Sequence, residues 1–456
     1  MPLVRPATGL SEPQLFPLGP LELLSASRWL PITLVYPAVL DANTLSVALA
    51  NVLEAYPIFA GRLQWSLGKE NHGARLVVRL DAATCGIPFQ VVHSEKHLCD
   101  VAIDSARTTW PARRVLAKEF MAPPHATTPH MMIKQKTPLV CITLTHLAAR
   151  SGSVLCAEFA HCVGDGASFY HFLARLSNAC QDRSDSPTTN SAPYTLIRDR
   201  VGHLTPSEGW LFVSPTPRIH LSTPRGNLCV DSTVFWLRHA TIMKLKAAAA
   251  AGLSSNDVVA ALLWKVTATL NPTQPTYLRV LLNFRRELSL PSDSIGNMIY
   301  SLVIRPSTEM TTAEVADLAQ QCHDGVESAK SHVAPVLAAI YQKAWTKIYW
   351  NDPPEPHSSA STTNMAAFNA TALPFPTLPL HQDSTDHGDN SQCPETQPIA
   401  AFVTAVDQLE SAIGGFARFF QILTDARGGL RVVVHLPPAQ LSLFQARLEA
   451  CLLPYL

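Results

Sequence analysis

Residues 138–180 constrain the fold of this chain more than any other stretch. Two β-rich runs, Pro138–Leu147 (PLVCITLTHL) and Ser153–His161 (SVLCAEFAH), are parted only by Ala148–Gly152, a gap that suits a hairpin. Ser168–Cys180 then places Phe169, Phe172, Leu173 and Leu176 on one helical face. Strand, tight turn and helix thus follow one another with no spare residues. Similar mixtures recur along the chain. Pro31–Leu40 reads as a strand, and Asp41–Tyr56 as a helix with Leu45, Leu49, Val52 and Leu53 in phase and Asp41 or Thr44 as its cap. Ala74–Leu80 reads as a further strand.

Residues 181–224 change character, being rich in Ser, Thr, Pro and Asp, and read as a long crossover between two halves. The second half opens with a strand at Val234–Leu237 and a helix running through Lys244 and Ala247–Ala251. Ser254 or Ser255 caps another helix carrying Val258, Val259, Leu262 and Leu263. Strands follow at Arg279–Asn283 and Met298–Ile304, and Thr311–Trp350 reads as mostly helical. Residues 378–398 are polar and Pro-flanked and read as a disordered insertion. A strand at Arg431–Leu436 and a helix after Pro437-Pro438 close the chain. The expected architecture is therefore α/β, with mixed β-sheets flanked by helices in two domains, 1–180 and 225–456, joined by the crossover.

Composition narrows the function. Lys+Arg and Asp+Glu are 35 each among 456 residues, which argues against nucleic acid or an anionic membrane as the main partner. Hydrophobic residues reach 47% and charged ones only 15%, against about 25% in typical domains. The ten cysteines are scattered without a CxxC pair, the pattern of free thiols in a reducing compartment. No signal-like N-terminus and no apolar run long enough to span a membrane is evident. The expectation is a monomeric cytoplasmic protein.

The chemistry-bearing motif is H-x-x-x-D-G at His161, Asp165 and Gly166. Chance yields about 0.03 such patterns in a chain with 17 His and 20 Gly. A neutral imidazole at a strand end is a competent general base near pH 7. Gly164 and Gly166 permit a sharp turn and close approach of a substrate. Asp165 could orient the ring, lock the loop by pairing elsewhere, or simply cap the helix. On these residues alone His161 could equally be a satisfied histidine at a strand end.

Motif and surroundings together resemble the BAHD acyltransferases, CoA-dependent enzymes of specialised metabolism, in their fungal form. Tyr56-Pro-Ile-Phe-Ala-Gly-Arg-Leu63 is similar to the family's YPLAGRL. Ser254-Ser-Asn-Asp257 with Leu262-Leu-Trp264 is similar to its S-T-N-D-A-L…LW helix start. Asn283-Phe-Arg285 with Pro291 and Ile295-Gly-Asn297 is similar to its D-G-R…P…FGN segment. The resemblance implies two chloramphenicol-acetyltransferase-like domains. It also implies acyl-CoA as co-substrate with no permanently bound cofactor, and a small-molecule acceptor carrying a hydroxyl or amine. Its general base would be His161, and its loop lock an Asp165–Arg285 pair. Thr363 and Asn364 would stabilise the oxyanion or position substrate. Lys244, Lys246 and the helix start at Ser254, Ser255 and Asn256 are candidates for the CoA phosphates. The family's T-S-W and D-F-G-W-G signatures survive only as Thr363 and Phe375, with Met365 in the place of Trp.

Two rivals remain. A condensation-type enzyme fed by a carrier protein usually shows H-H-x-x-x-D-G, whereas Ala160 stands in the first place here. A lapsed member could merely bind a small molecule or protein. The ligand-type residues His93, His97, Cys99 and Asp100 lack a completing set, so no metal is expected. His381, Asp383, Asp386, His387 and Asp389 read as a solvated linker, and Cys162 as a thiol facing away from the cleft.

Overall fold

The computed structural model describes the chain outside residues 67–75, 102–116, 182–196, 205–230, 343–359, 379–394 and 404–417 and the short stretches 1, 11, 27, 123–124, 127, 203, 271, 273–275, 308, 311, 370–371, 397–399 and 426–427. Residues 140–160 form a hairpin. Val140–His146 pairs antiparallel with Ser153–Ala160, which pairs in turn with Trp29–Tyr36. These three strands are almost wholly buried, so they occupy the centre of a covered sheet. Its spatial order is Leu3–Val4, Ile87–His93, Val140–His146, Ser153–Ala160, Trp29–Tyr36, Ala400–Val403. Ile87–His93 and Val140–His146 run parallel and the other neighbours antiparallel, which makes the sheet mixed. Its last strand comes from residues 400–403, so this layer is not built from the first 180 residues alone.

The helices Ala42–Ala55 and Gly166–Cys180 pack together beside this sheet. Asp41 caps the first, accepting from the Asn43 N–H at 3.0 Å, and Leu45, Leu49, Val52 and Leu53 form its buried face. The second buries Phe169, Phe172, Leu173 and Leu176, with Phe159 stacked on Phe169 at 4.3 Å. A small antiparallel sheet of Gln14–Pro17, Leu76–Leu80 and Arg62–Trp65 adjoins.

The second large sheet runs Ile299–Ile304, Leu278–Asn283, Ala360–Asn364, Phe419–Thr424, Leu430–Leu436, Asp231–Leu237. Ala360–Asn364 is parallel to both its neighbours, so this sheet too is mixed. Side-chain alternation divides its faces. Leu278, Val280, Ala360, Phe420, Ile422, Val432 and Val434 share a core with the helices Ser255–Ala268, Val315–Gln342 and Pro438–Leu452. The residues between them, including Arg279, Ser361, Gln421 and His435, lie on the other face and are buried as well. That face turns toward the first half, because Val234, Leu423 and Val433 join the first half's core.

Some expectations shift. The helix read through Ala247–Ala251 ends at Ala247. Gly252, at φ +94°, turns the chain so that Leu253 is buried and Ser254 can cap the next helix. The strand expected at Pro31–Leu40 ends at Tyr36, and Leu40 makes only an isolated bridge to Thr377. Within 181–224 the described residues include a short helix, Ile197–Val201, which packs with Val333, Val336 and Leu337 of the long helix. The insertion expected at 378–398 lies outside the described residues except Leu378 and the strand Glu395–Thr396, which pairs with Phe375–Pro376.

Candidate active site

The site grows from the end of the Ser153–Ala160 strand. Its last N–H, that of Ala160, bonds to the Leu139 carbonyl at 2.7 Å, and the next, that of His161, to the Arg28 carbonyl at 2.8 Å. The Val163 N–H then closes a turn onto Ala160 at 3.1 Å. Asp165 caps the following helix through the Ser168 N–H at 3.0 Å. Gly164 has no room for a side chain in this turn, and Gly166 leaves space for the tip of Met365. A Cβ on Gly164 would stand 2.7 Å from the Ser168 Cβ, and one on Gly166 would stand 2.7 Å from the Met365 Cε.

Asp165 is fully buried and does not hydrogen-bond the His161 ring. Its Oδ1 accepts from Arg285 Nη2 at 2.8 Å and from the Ser168 hydroxyl at 3.1 Å. Its Oδ2 accepts from Arg285 Nη1 at 2.8 Å and from the Met298 N–H at 2.9 Å. Arg285 also donates to the carbonyls of Ser294 and Gly296 and to Asn283 Oδ1. The structure therefore brings Asp165 and Arg285 together across 120 residues of sequence. Burial alone would raise the Asp165 pKa, but Arg285 and the N–H donors outweigh it and hold the carboxyl below its usual range. Of the three roles open to Asp165 in the sequence, it fills two: helix cap and loop lock.

His161 is half-buried and lines a cavity of about 180 Å³ at the seam of the two halves. Its Nδ1 is buried with no hydrogen-bond partner among the described residues. Burial and the neighbouring Arg28 cation lower its pKa below the ordinary 6.5, so the ring is neutral near pH 7. The Asn297 side-chain amide donates to the His161 carbonyl, and the Asn297 N–H donates to Glu22 Oε1 at 3.1 Å. Glu22 is itself buried, and desolvation, partly offset by its N–H donors, raises its pKa to about 7.

Thr363 and Asn364 also line the cavity. Asn364 is committed to structure. Its Nδ2 donates to Asn256 Oδ1 at 2.8 Å and its Oδ1 accepts from the Ala366 N–H at 2.9 Å. Through Asn256 the helix starting at Ser255 is tied to the cavity rim, with Ser254 and Asp257 closing a capping box. Lys244 and Lys246 are not on the cavity wall. They stand on the helix His239–Ala247, where Lys244 donates to the Leu456 carbonyl at 2.7 Å. Cys162 is fully buried, and burial raises its thiol pKa to about 12, which leaves no thiolate to act as nucleophile. Among the described residues no group of His, Cys, Asp and Glu could hold a metal ion. Residues 381–389 lie outside the described residues. Sequence reasoning missed Arg28, Trp29, Arg279, Ser301, Ser361 and Gln421 on the cavity wall. The signal available was polar residues inside otherwise apolar strands, as in FFQILT at 419–424.

Two mixed sheets with helices outside and a histidine turn at their seam define the two-domain, chloramphenicol-acetyltransferase-like acyltransferase fold. The sequence matches the Transferase family over residues 32–350, most of the chain, and the protein belongs to that family, the BAHD acyltransferases. The structure is similar to TRI101 of F. graminearum in complex with ethyl coenzyme A (TM-score 0.72, 14% identity, covering 96% of this chain and 97% of that one). It is also similar to TRI101 of F. sporotrichioides in complex with coenzyme A and T-2 (TM-score 0.69, 16% identity, 96% and 97% covered). Vinorine synthase resembles it as well (TM-score 0.67, 17% identity, 99% and 97% covered). Among curated protein sequences none matches the chain. No described helix is long and apolar enough to cross a membrane.

Proposed function

We propose that this protein transfers an acyl group from an acyl-CoA thioester to a hydroxyl or amine of a small specialised metabolite, with His161 as general base. The observation that carries this reading is a neutral, partly exposed imidazole on the wall of a cavity between the two halves. Because Nδ1 is buried, Nε2 is the nitrogen that meets the acceptor. It takes the acceptor proton as the acceptor oxygen or nitrogen attacks the thioester carbon. The tetrahedral intermediate collapses with cleavage of the C–S bond, and the imidazolium protonates the departing CoA thiolate. No covalent bond to the enzyme forms.

The Thr363 hydroxyl, on the cavity wall, serves as side-chain donor to the oxyanion. Asn364 holds the strand end and, through Asn256, the neighbouring helix start. Asp165 and Arg285 act on His161 only by fixing its turn. The CoA phosphates are assigned to the Ser254–Asn256 helix start, which Asn256 ties to the cavity rim, with Lys244 and Lys246 on the helix that precedes it. The complexes of TRI101 with coenzyme A and T-2 support the choice of donor and of a small-molecule acceptor.

The test is thiol release from a panel of acyl-CoAs with hydroxylated metabolites and no carrier protein. Turnover is expected, and His161→Ala should lower it about 10²–10⁴-fold. Undiminished turnover in His161→Ala would reject the base assignment. Turnover that required a carrier protein would favour the condensation-type rival.

A further inference from the structure

A sheet face that packs against another layer ordinarily carries Val, Ile and Leu. The face of the second sheet that looks into the cavity departs from this at its centre. Ser361 pairs with Phe419 on the adjacent parallel strand, and Thr363 with Gln421, so Ser361 and Gln421 are diagonal neighbours pointing the same way. Both line the cavity, at 2% and 1% exposure. Among the described residues, the Ser361 hydroxyl and the Gln421 side-chain carbonyl have no hydrogen-bond partner. Buried polar atoms are almost always paired, so two unpaired ones side by side on a cavity wall point to a ligand that pairs them. Arg279 lies beside Ser361 in register and donates to the Ser301 hydroxyl at 3.3 Å, extending the row of polar groups along the same wall. Most of the remaining wall area is apolar, from Leu21, Trp29, Leu281, Ile299 and Phe368, with Ser25, Arg28, Asn283 and Asn297 set among them.

We infer that Ser361 and Gln421 form an anchoring subsite for a second hydroxyl of the acceptor, remote from the one acylated at His161. A bare carbonyl acceptor such as Gln421 Oε1 needs a donor, and the Ser361 hydroxyl can donate in return. A ligand O–H satisfies both at once. His161 sits on the first half and the anchor on the sheet of the second, so the ligand spans the cavity between them. The acceptor class is thus an apolar skeleton bearing at least two separated hydroxyl groups. The word acceptor rests on the acyl-transfer reading; the subsite does not.

Calorimetric titration with two bicyclic probes, bornane-2,5-diol and the mono-alcohol borneol, tests the subsite apart from turnover. The diol is expected to bind at least about tenfold more tightly, the worth of one well-made neutral hydrogen bond in a dry site. Gln421→Leu and Ser361→Ala should each erase most of that advantage while leaving borneol unchanged, and should melt no lower than the parent, since each removes an unpaired buried polar group. Equal binding of the two probes, or variants that bind the diol as the parent does, would overturn the inference. So would a marked fall in melting temperature, which would mean that these groups are paired within the protein. His161→Ala should keep the preference for the diol and lose thiol release. Diol preference in a protein that releases no thiol from any acyl-CoA would sink the acyl-transfer reading alone. Thiol release dependent on His161, without diol preference, would sink the subsite alone.

Discussion

Asp165→Asn strikes the point on which the His161 turn depends. The carboxylate receives five hydrogen bonds, two from the Ser168 N–H and hydroxyl, two from Arg285 and one from the Met298 N–H. The amide keeps one acceptor oxygen and puts an NH₂ against groups that are all donors. It also strips Arg285, only 3% exposed, of its counter-charge. Removing one member of a buried pair costs about 3–5 kcal/mol. At about 2.1 cal/mol/K per residue, a chain of 456 residues unfolding as one unit has an entropy near 1 kcal/mol/K. A loss of about 4 kcal/mol then lowers the melting temperature by about 4 °C. His161 is displaced with its turn, and a shift of about 1 Å costs on the order of 10²-fold in rate. Arg285→Leu should do less harm, because Asp165 keeps the Ser168 and Met298 donors. The double variant should recover part of the sum, with a coupling of at least about 1 kcal/mol. Calorimetry and thiol release on the four proteins measure all of this. An Asp165→Asn protein melting within a degree of the parent and turning over at the same rate would refute the account of the loop lock.

Three further outcomes follow from the geometry. The pH–rate profile should rise through an apparent pKa below 6.5 and stay level to pH 8, because burial and Arg28 depress the His161 pKa and only the neutral ring acts as base; a midpoint above 7 contradicts this. Two buried groups should tilt stability in opposite directions. Burial lowers the His435 pKa from 6.5 to about 3, so its contribution is full above pH 6.5 and is lost at roughly 1.4 kcal/mol per unit as pH falls toward 3. Glu22 is raised from 4.5 to about 7, so its contribution is full below pH 4.5 and is lost as pH rises through 7. Glu22→Gln should therefore gain roughly 3 kcal/mol over the parent at pH 8 and little at pH 4.5, as read by urea denaturation. Gly164→Ala places a methyl 2.7 Å from the Ser168 Cβ and 3.1 Å from the Phe169 ring, and should cost about 1–3 kcal/mol together with much of the activity.

Local chemistry made a large part of this protein readable in one dimension. The hairpin at 140–160 and the helices at 42–55, 166–180 and 255–268 follow from apolar periodicity and from the caps Asp41 and Ser254. The His161 turn was legible because two glycines and a capping Asp must stand close together in sequence to make it. Strands such as Arg62–Trp65, Ala360–Asn364 and Ala400–Val403 were not. They are four or five residues long, and what makes them strands is a partner far away in the chain. The polar row Arg279, Ser361 and Gln421 was hidden for a related reason. Each residue is one polar position in an apolar or Thr-rich strand, and only pairing of the 278–283, 360–364 and 419–424 strands gathers them on one face. Sequence alone determined the main helices with their caps, the central hairpin and the His161 turn, because those depend on neighbours within a few residues. Which groups meet in the cavity, and that Asp165 serves Arg285 rather than the imidazole, was decided by tertiary packing, because contacts across 120 residues arise only when two sheets close on one another.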